Sequence, residues 1–418
     1  MPGEDATPRA YTHRVTDLRR SRWRRAVAVG LIAIGALGMG RVAWVGYGPV
    51  ESDERLAAQV AFLNSSISGG GDLDMQCLFP EGRFFTRALT GSAMANTSGA
   101  GSTNDLETLR SHRDVLDSAA VTGAFGSGMI PEHGIFHAGW ALAVANDVAR
   151  RTKAEVDRSD VRRRGAIVDR VLRGSSTGFL AGYPGQYWPC DSVVAAAALA
   201  DAAAVVNEPS WLATVANWRL LVQGHLDPAT GLLPHRVAAS GQLLEGTRGS
   251  SQSIIQAFWP VIALALDDQT DQGTWLRFVD QFVVNRLGLV GVREYPRGQD
   301  GSGDVDSGPL LLGVSASASA VTLAAARQVG DATLAEVLDR EAELLGVGFT
   351  WSGARRYALG QVPVGDAFLA WARSRPMGPA LGREAGGAWW PEFIGLAALP
   401  GLGGLAVLPQ RSPSRRQF

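Results

Sequence analysis

Three stretches of this chain concentrate side chains able to move protons or hold a substrate. In Gly182-Tyr-Pro-Gly-Gln-Tyr-Trp-Pro-Cys-Asp-Ser, Tyr183, Tyr187 and Trp188 precede Cys190 and Asp191 at an expected helix start. The rings would form a stacking platform stiffened by Pro189, from which Asp191 or Cys190 reaches substrate. Asp191 or Ser192 would equally serve as a helix N-cap. The second stretch, residues 293–309, gathers Glu294, Asp300, Asp304 and Asp306 in a Gly-rich loop ahead of Pro309, a residue suited to a first helical turn. Asp304 and Asp306 stand two apart, so one carboxylate can raise the other's pKa. General acid–base catalysis needs that separation. Loop carboxylates are otherwise caps or solvated, and an EF-hand reading fails because its terminal Glu is missing.

The third stretch places His133 and His137 four apart beside Glu132, with both imidazoles on one helix face. The order is Glu-His-x-x-x-His rather than the zincin His-Glu-x-x-His, and spacing supplies no third ligand, so neither a metal nor another cofactor is expected. His137 reads as an acid, a base or a substrate hydrogen-bonder. Other candidates for substrate contact are His133, His235, Glu245, Glu294 and Tyr357, with His225 read as structural. Glu81 reads as support for a helix start. No phosphate loop, Gly-x-Ser-x-Gly elbow or dinucleotide fingerprint is present.

Helical periodicity dominates the segments that must position these groups. Apolar residues recur at helical spacing over 55–64, 111–119, 138–151, 161–173, 193–206, 211–222, 253–266, 274–286, 310–327 and 332–345, and no alternating strand series competes. Breaks rich in Gly, Pro and aromatic residues fall at Pro80, Gly134, Cys190, Ser250, Gly308 and Val362, at spacings of 54, 56, 60, 58 and 54. Each step holds two helices, so the pattern predicts an all-α array of six helical hairpins. Closed on itself, that array is an (α/α)6 toroid whose inner helices begin at one mouth, with an open superhelix as the alternative. Helix N-termini gathered there would favour polar or anionic groups.

Composition bounds the rest. The 418 residues are 46% apolar and 19% charged, which excludes wholesale disorder. A net charge of −1 gives no field for gripping nucleic acid. Cys77 and Cys190 allow one bridge at most. Residues 1–25 carry seven arginines and precede an apolar run over 26–47, so the expectation is a basic cytoplasmic tail and a transmembrane anchor. The toroid would occupy 50–380 outside the cell membrane, with the N-terminus inside. A cleaved signal peptide is the competing reading. The tail 381–418 is apolar between Phe393 and Pro409, ends in arginines, and reads as membrane-associated or as a returning span.

The order of landmarks resembles the linalool dehydratase/isomerase family. The segments are Gly134-Ile-Phe-His-Ala-Gly, Tyr187-Trp-Pro-Cys-Asp-Ser, Leu226-Asp-Pro-Ala-Thr-Gly, Gly303-Asp-Val-Asp-Ser-Gly with the helix running to Gly330-Asp, and Arg356-Tyr, together covering roughly 125–375. The resemblance implies an (α/α)6 barrel, with His137 matching the family's active-site histidine and Cys190 one of its two active-site cysteines. The other cysteine position falls on Ala181, and the family's substrate contacts are not recognisable around Asp72 to Cys77. What carries over is the scaffold and site location, with different chemistry. The leading expectation is carboxylate acid–base catalysis on a carbohydrate or glycoconjugate by Asp304 or Asp306 with Asp191, assisted by His137. Two others remain: a hydratase, dehydratase or isomerase of an isoprenoid alcohol using Cys190 and His137, and a surface binding module that is no enzyme.

Overall fold

A computed structural model describes residues 9–48, 53–97, 101–268, 272–381 and 391–408. The chain divides into two compact units, one formed by Met1–Pro49 with Gly387–Phe418, the other by Val50–Gly386. In the first, helix α1 (Arg9–Tyr47) packs along the C-terminal helix Pro391–Val407. Small residues let the two backbones approach: a Cβ on Gly35 would lie 2.7 Å from the Gly401 nitrogen, and one on Gly404 would lie 2.6 Å from the Ala28 carbonyl. Arg22–Tyr47 is long and apolar enough to cross a membrane. The anchor and the apolar tail, separate segments in the sequence reading, share one unit.

The second unit is predominantly helical. Its helices are α2 (Asp53–Ser68), α3 (Gly71–Leu78), α4 (Gly82–Ala95), α5 (Thr103–Val115), α6 (Ala119–Thr122), α7 (Gly134–Thr152), α8 (Glu155–Gly174), α9 (Pro189–Val206), α10 (Ser210–Gln223), α11 (Gly249–Ala265), α12 (Gln272–Phe282), α13 (Ala316–Val329), α14 (Ala332–Leu345) and α15 (Pro363–Ser374). Local chemistry sets their starts. Ser102 and Asp105 form a capping box on α5, Ser315 and Asp331 cap α13 and α14, and Pro189 and Pro363 occupy first-turn positions.

Six of these helices touch in cyclic order: α4 on α7, then α9, α11, α13 and α15, with α15 returning to α4. The others back them, α5 against α4 and α7, α8 between α7 and α9, and α2 against α15 and α4. Along α9, alanines at 195–198, 200, 202 and 203 are buried, so neighbours pack close around a helix that is apolar on nearly every face. Pro189–Val206 is also long and apolar enough for a span, but most of it lies inside this unit, as in a core helix.

Two local expectations fail. The helix expected over 274–286 ends at Phe282, and Val283–Arg286 becomes strand β3, antiparallel to β4 (Leu289–Arg293). Likewise Leu310 does not begin a helix: β5 (Leu310–Leu311) and β6 (Val314–Ser315) form a hairpin whose second strand joins β4, and the helix starts at Ala316. Gly288 and Gly313, at φ 89° and 80°, make the tight turns that continuous helix would forbid. Short antiparallel pairs also join Arg236–Val237 to Leu243–Glu245 and Phe349–Trp351 to Ala354–Arg356. Helices α4 and α15 lie outside the segments where periodicity predicts helix, although the breaks at Pro80 and Val362 directly precede them.

Backbone contact between α7 and α9 gives the first test. A Cβ on Gly139 would lie 2.9 Å from the Ala195 nitrogen and Cα, with no flexible side chain to yield. Gly139→Val is expected to destabilise the fold by about 2–3 kcal/mol through overpacking. Urea denaturation should show a lower midpoint at unchanged slope.

Candidate functional site

Residues toward the C-terminal ends of α4, α7, α9, α11, α13 and α15 line one cavity, so these helices run the same way and their first turns gather at the opposite end. At that end Asp191 occupies the first turn of α9. It is 6% exposed, yet caps nothing: Oδ1 accepts only from the Cys190 thiol at 3.7 Å, and Oδ2 has no hydrogen-bond partner. Gly182 makes this possible, because a Cβ there would stand 2.1 Å from Oδ2. Burial, then the facing charge of Asp306 and that of Glu81, push the Asp191 carboxyl well above the usual carboxylate range. Burial thus favours the protonated, neutral form of the Asp191 carboxyl.

Asp306 keeps solvent-exposed surface, but its carboxyl is partly desolvated by its surroundings. That desolvation, with the charges of Asp304 and Glu81, raises its pKa to about 6 against the pull of Arg248. Asp304 is held by Arg248 at 3.3 Å, and its carboxylate and backbone N–H bracket Ser307. Arg248 also reaches Glu245 at 3.3 Å and lies over the Tyr295 ring. The Tyr183 hydroxyl donates to Glu81 at 2.5 Å; burial and then the Glu81 charge raise its own pKa, so it remains a donor. Cys190 is pushed up by burial and by Asp191 and Asp306, which leaves a thiol rather than a thiolate nucleophile.

The charges of Glu81, Asp304 and their neighbours thus act on the ionisation of Tyr183, Cys190, Asp191 and Asp306 at these helix starts. Glu81 was read as helix support, but it immediately precedes α4, and its side chain makes no cap bond. Its place at the first break of the period was the available signal.

Other candidates are spent elsewhere. His137 is buried, its Nε2 lies 3.0 Å from the Leu116 carbonyl, and Phe125 packs between it and Tyr183. Burial lowers its pKa, with the Leu116 carbonyl and Asp117 opposing. His133, at φ 64°, turns its Nδ1 to the Gly126 carbonyl at 2.8 Å and sits edge-on to His137. Glu294 is fully buried and accepts from the Ser250 N–H at 3.0 Å and hydroxyl at 2.8 Å, securing the start of α11. Burial raises its pKa to about 7. Tyr357 is also buried, its hydroxyl engaged with Glu343 and Arg373.

A lateral wall connects to the mouth. Tyr187 bridges Val237, while Trp188 meets His235 edge-on at 4.8 Å and lies beneath Arg236. His235 hydrogen-bonds Ser251 through Nδ1, and burial lowers its pKa to about 4. Cys77 and Cys190 are free thiols, and no group of three or more His, Cys, Asp or Glu side chains converges as for a metal among the described residues. No protein-family model matches the chain, and no curated protein matches it.

The fit of Asp191 against Gly182 is directly testable. Gly182→Ala is expected to cost about 2 kcal/mol, because a carboxyl oxygen must move. In the Asp191→Ala background the cost should fall by at least about 1 kcal/mol, the coupling expected of touching residues. Denaturation of the four proteins in the cycle measures it.

Proposed function

We propose that the second unit is an (α/α)6 toroid, joined to a membrane by α1 with the unit outside the cell, and that its mouth is an acid–base site. The cyclic order of helix contacts supports the toroid, and the basic residues before the apolar stretch support the orientation. One observation carries the chemistry: a buried Asp191 with an unpartnered oxygen, its pKa raised well above the usual carboxylate range, lies within reach of the charges of Asp306 and Glu81. Environments that push carboxyl pKa values apart mark acid and base roles.

In the proposed reaction Asp191 gives its proton to the oxygen of a substrate C–O bond as that bond breaks. Asp306 takes the proton from an attacking water or from the carbon beside the cleaved bond. Tyr183 fixes Glu81, whose charge opposes ionisation of Asp191 and stabilises developing positive charge on the substrate. Carboxylates beside aromatic faces suit a carbohydrate or glycoconjugate, and the activity is a hydrolase or lyase. A second reading, hydration, dehydration or isomerisation of an isoprenoid alcohol, draws on the resemblance to the linalool dehydratase/isomerase family and on Phe125 and Phe136 against Tyr183. There too Asp191 supplies the proton.

Assays of the full chain against glycan and alkenol panels separate the two. In either case Asp191→Asn and Asp306→Asn should each lower kcat/KM by about 10²–10⁴, while Cys190→Ala should leave it within a few-fold. Asp306 must be ionised to act as base and Asp191 protonated to act as acid. Activity should therefore rise with pH through about 6 and fall only on the alkaline side. Full activity in both carboxamide variants would end the acid–base reading in favour of a binding module.

A further inference from the structure

A cavity of the second unit lies at the other end from the carboxylates. It measures about 750 Å³, within the range of small-molecule sites. Trp140, Phe258 and Trp371 pack together in its wall, with ring centroids 5.1–5.9 Å apart, and Leu264, Met377 and Leu381 add aliphatic surface. One side is closed by residues 376–381, tied down where the Gly378 N–H donates to the Arg327 carbonyl at 2.8 Å and Leu381 N–H to Gly330 at 3.0 Å. Gly330 and Gly378 permit that approach, since a Cβ on either would overlap a carbonyl of the other strand of chain.

Polar side chains also line the wall, among them Ser92, Asn96, Gln272, Gln328 and Gln256. Gln256 is 2% exposed, and its enclosed Nε2 has no hydrogen-bond partner among the described residues, so a ligand in the cavity meets it once the amide turns. A buried amide N–H left unmade costs about 1–3 kcal/mol, so a residue that is only structural would be cheaper as Leu. Pro260, one turn on and also in the wall, has no N–H to give the Gln256 carbonyl, which opens the helix backbone at the same point. Charges at the rim are paired among themselves: Arg150 with Asp147 at 3.2 Å and with Asp201, and Arg375 with Asp147 at 3.5 Å. Asp268, also in the lining, pairs with Arg219 at 2.6 Å, so these ion pairs leave the rim no net charge to select by.

We propose that this cavity is a second ligand site, distinct from the acid–base mouth, for a neutral, mainly apolar molecule carrying one acceptor oxygen that Gln256 Nε2 binds. The aromatic wall takes the hydrocarbon body, and the amide supplies the single directional contact.

Benzophenone tests this, because it is neutral and aromatic, bears one carbonyl oxygen, and inserts into nearby C–H bonds under near-ultraviolet light. The full chain in detergent would be irradiated with it and the adducts mapped by peptide mass spectrometry. Saturable labelling at Met377, Leu264 or Leu381 is expected. Gln256→Leu should weaken half-saturation about fivefold, the worth of one hydrogen bond of about 1 kcal/mol. Ala143→Phe, which fills the cavity from α7, should abolish it, as should Met377→Trp at the rim if α7 does not tolerate the first change. Asp191→Asn should leave labelling unchanged even where it removes activity, so the fate of the acid–base reading is read separately. Labelling absent from these residues in the folded wild type would overturn the proposal. So would labelling that is indifferent to both Gln256→Leu and the filling variants.

Discussion

Return of the chain onto its own beginning is the constraint on which the rest depends. Helix α15 must lie on α4, and the first and last hairpins must share one wall. Arg373 holds that seam, with Asp339 at 2.6 Å, Glu343 at 2.9 Å and Gln59 of α2 at 3.1 Å, while the Gln59 amide donates to the Asp366 carbonyl at 2.9 Å. All four side chains are buried. Such a cluster adds little over apolar packing, but losing one member strands a charge and costs about 3–5 kcal/mol. Its value is in register, since a slipped α15 would leave Arg373 unpaired. Tyr357, a substrate candidate by sequence, belongs to this seam.

The six helices of the contact cycle run the same way, which gives the unit two unlike ends. First turns bring loops, carboxylates and Arg248 together, whereas the C-terminal halves bring Trp371, Phe258 and the strap of residues 376–381. Between them a run of rings, from Tyr183 through Phe136 and Phe85 to Trp140 and Phe258, fills the axis at centroid separations of 5.1–5.8 Å. Polar chemistry and apolar storage can thus occupy one small unit. At the carboxylate end, desolvation and then neighbouring acidic charges are what raise Asp191 and Asp306.

Periodicity was the most legible feature of the sequence. Five of the six marked breaks fall within two residues of an inner helix start, because Gly, Pro and aromatic residues punctuate helices for local reasons. The sixth, Gly308, lies eight residues early, since the β5–β6 hairpin depends on pairing with distant β4. Asp191 and Asp306 were legible as mouth residues from that period alone. Partners were not. Spacing could not show that Glu81 takes the Tyr183 hydroxyl across about a hundred residues, that Glu294 secures α11, or that His137 turns to a backbone carbonyl behind Phe125. Those assignments depend on which side chains meet in space, and one-dimensional patterning does not encode it.

The central claim is that Asp191 remains a neutral acid beside ionisable carboxyls. Infrared difference spectroscopy of the full chain at pH 7, wild type minus Asp191→Asn, tests it most directly. The account predicts a protonated carboxyl C=O band in the wild type that the variant lacks. Loss of a carboxylate band in its place would show Asp191 ionised and contradict the acid role.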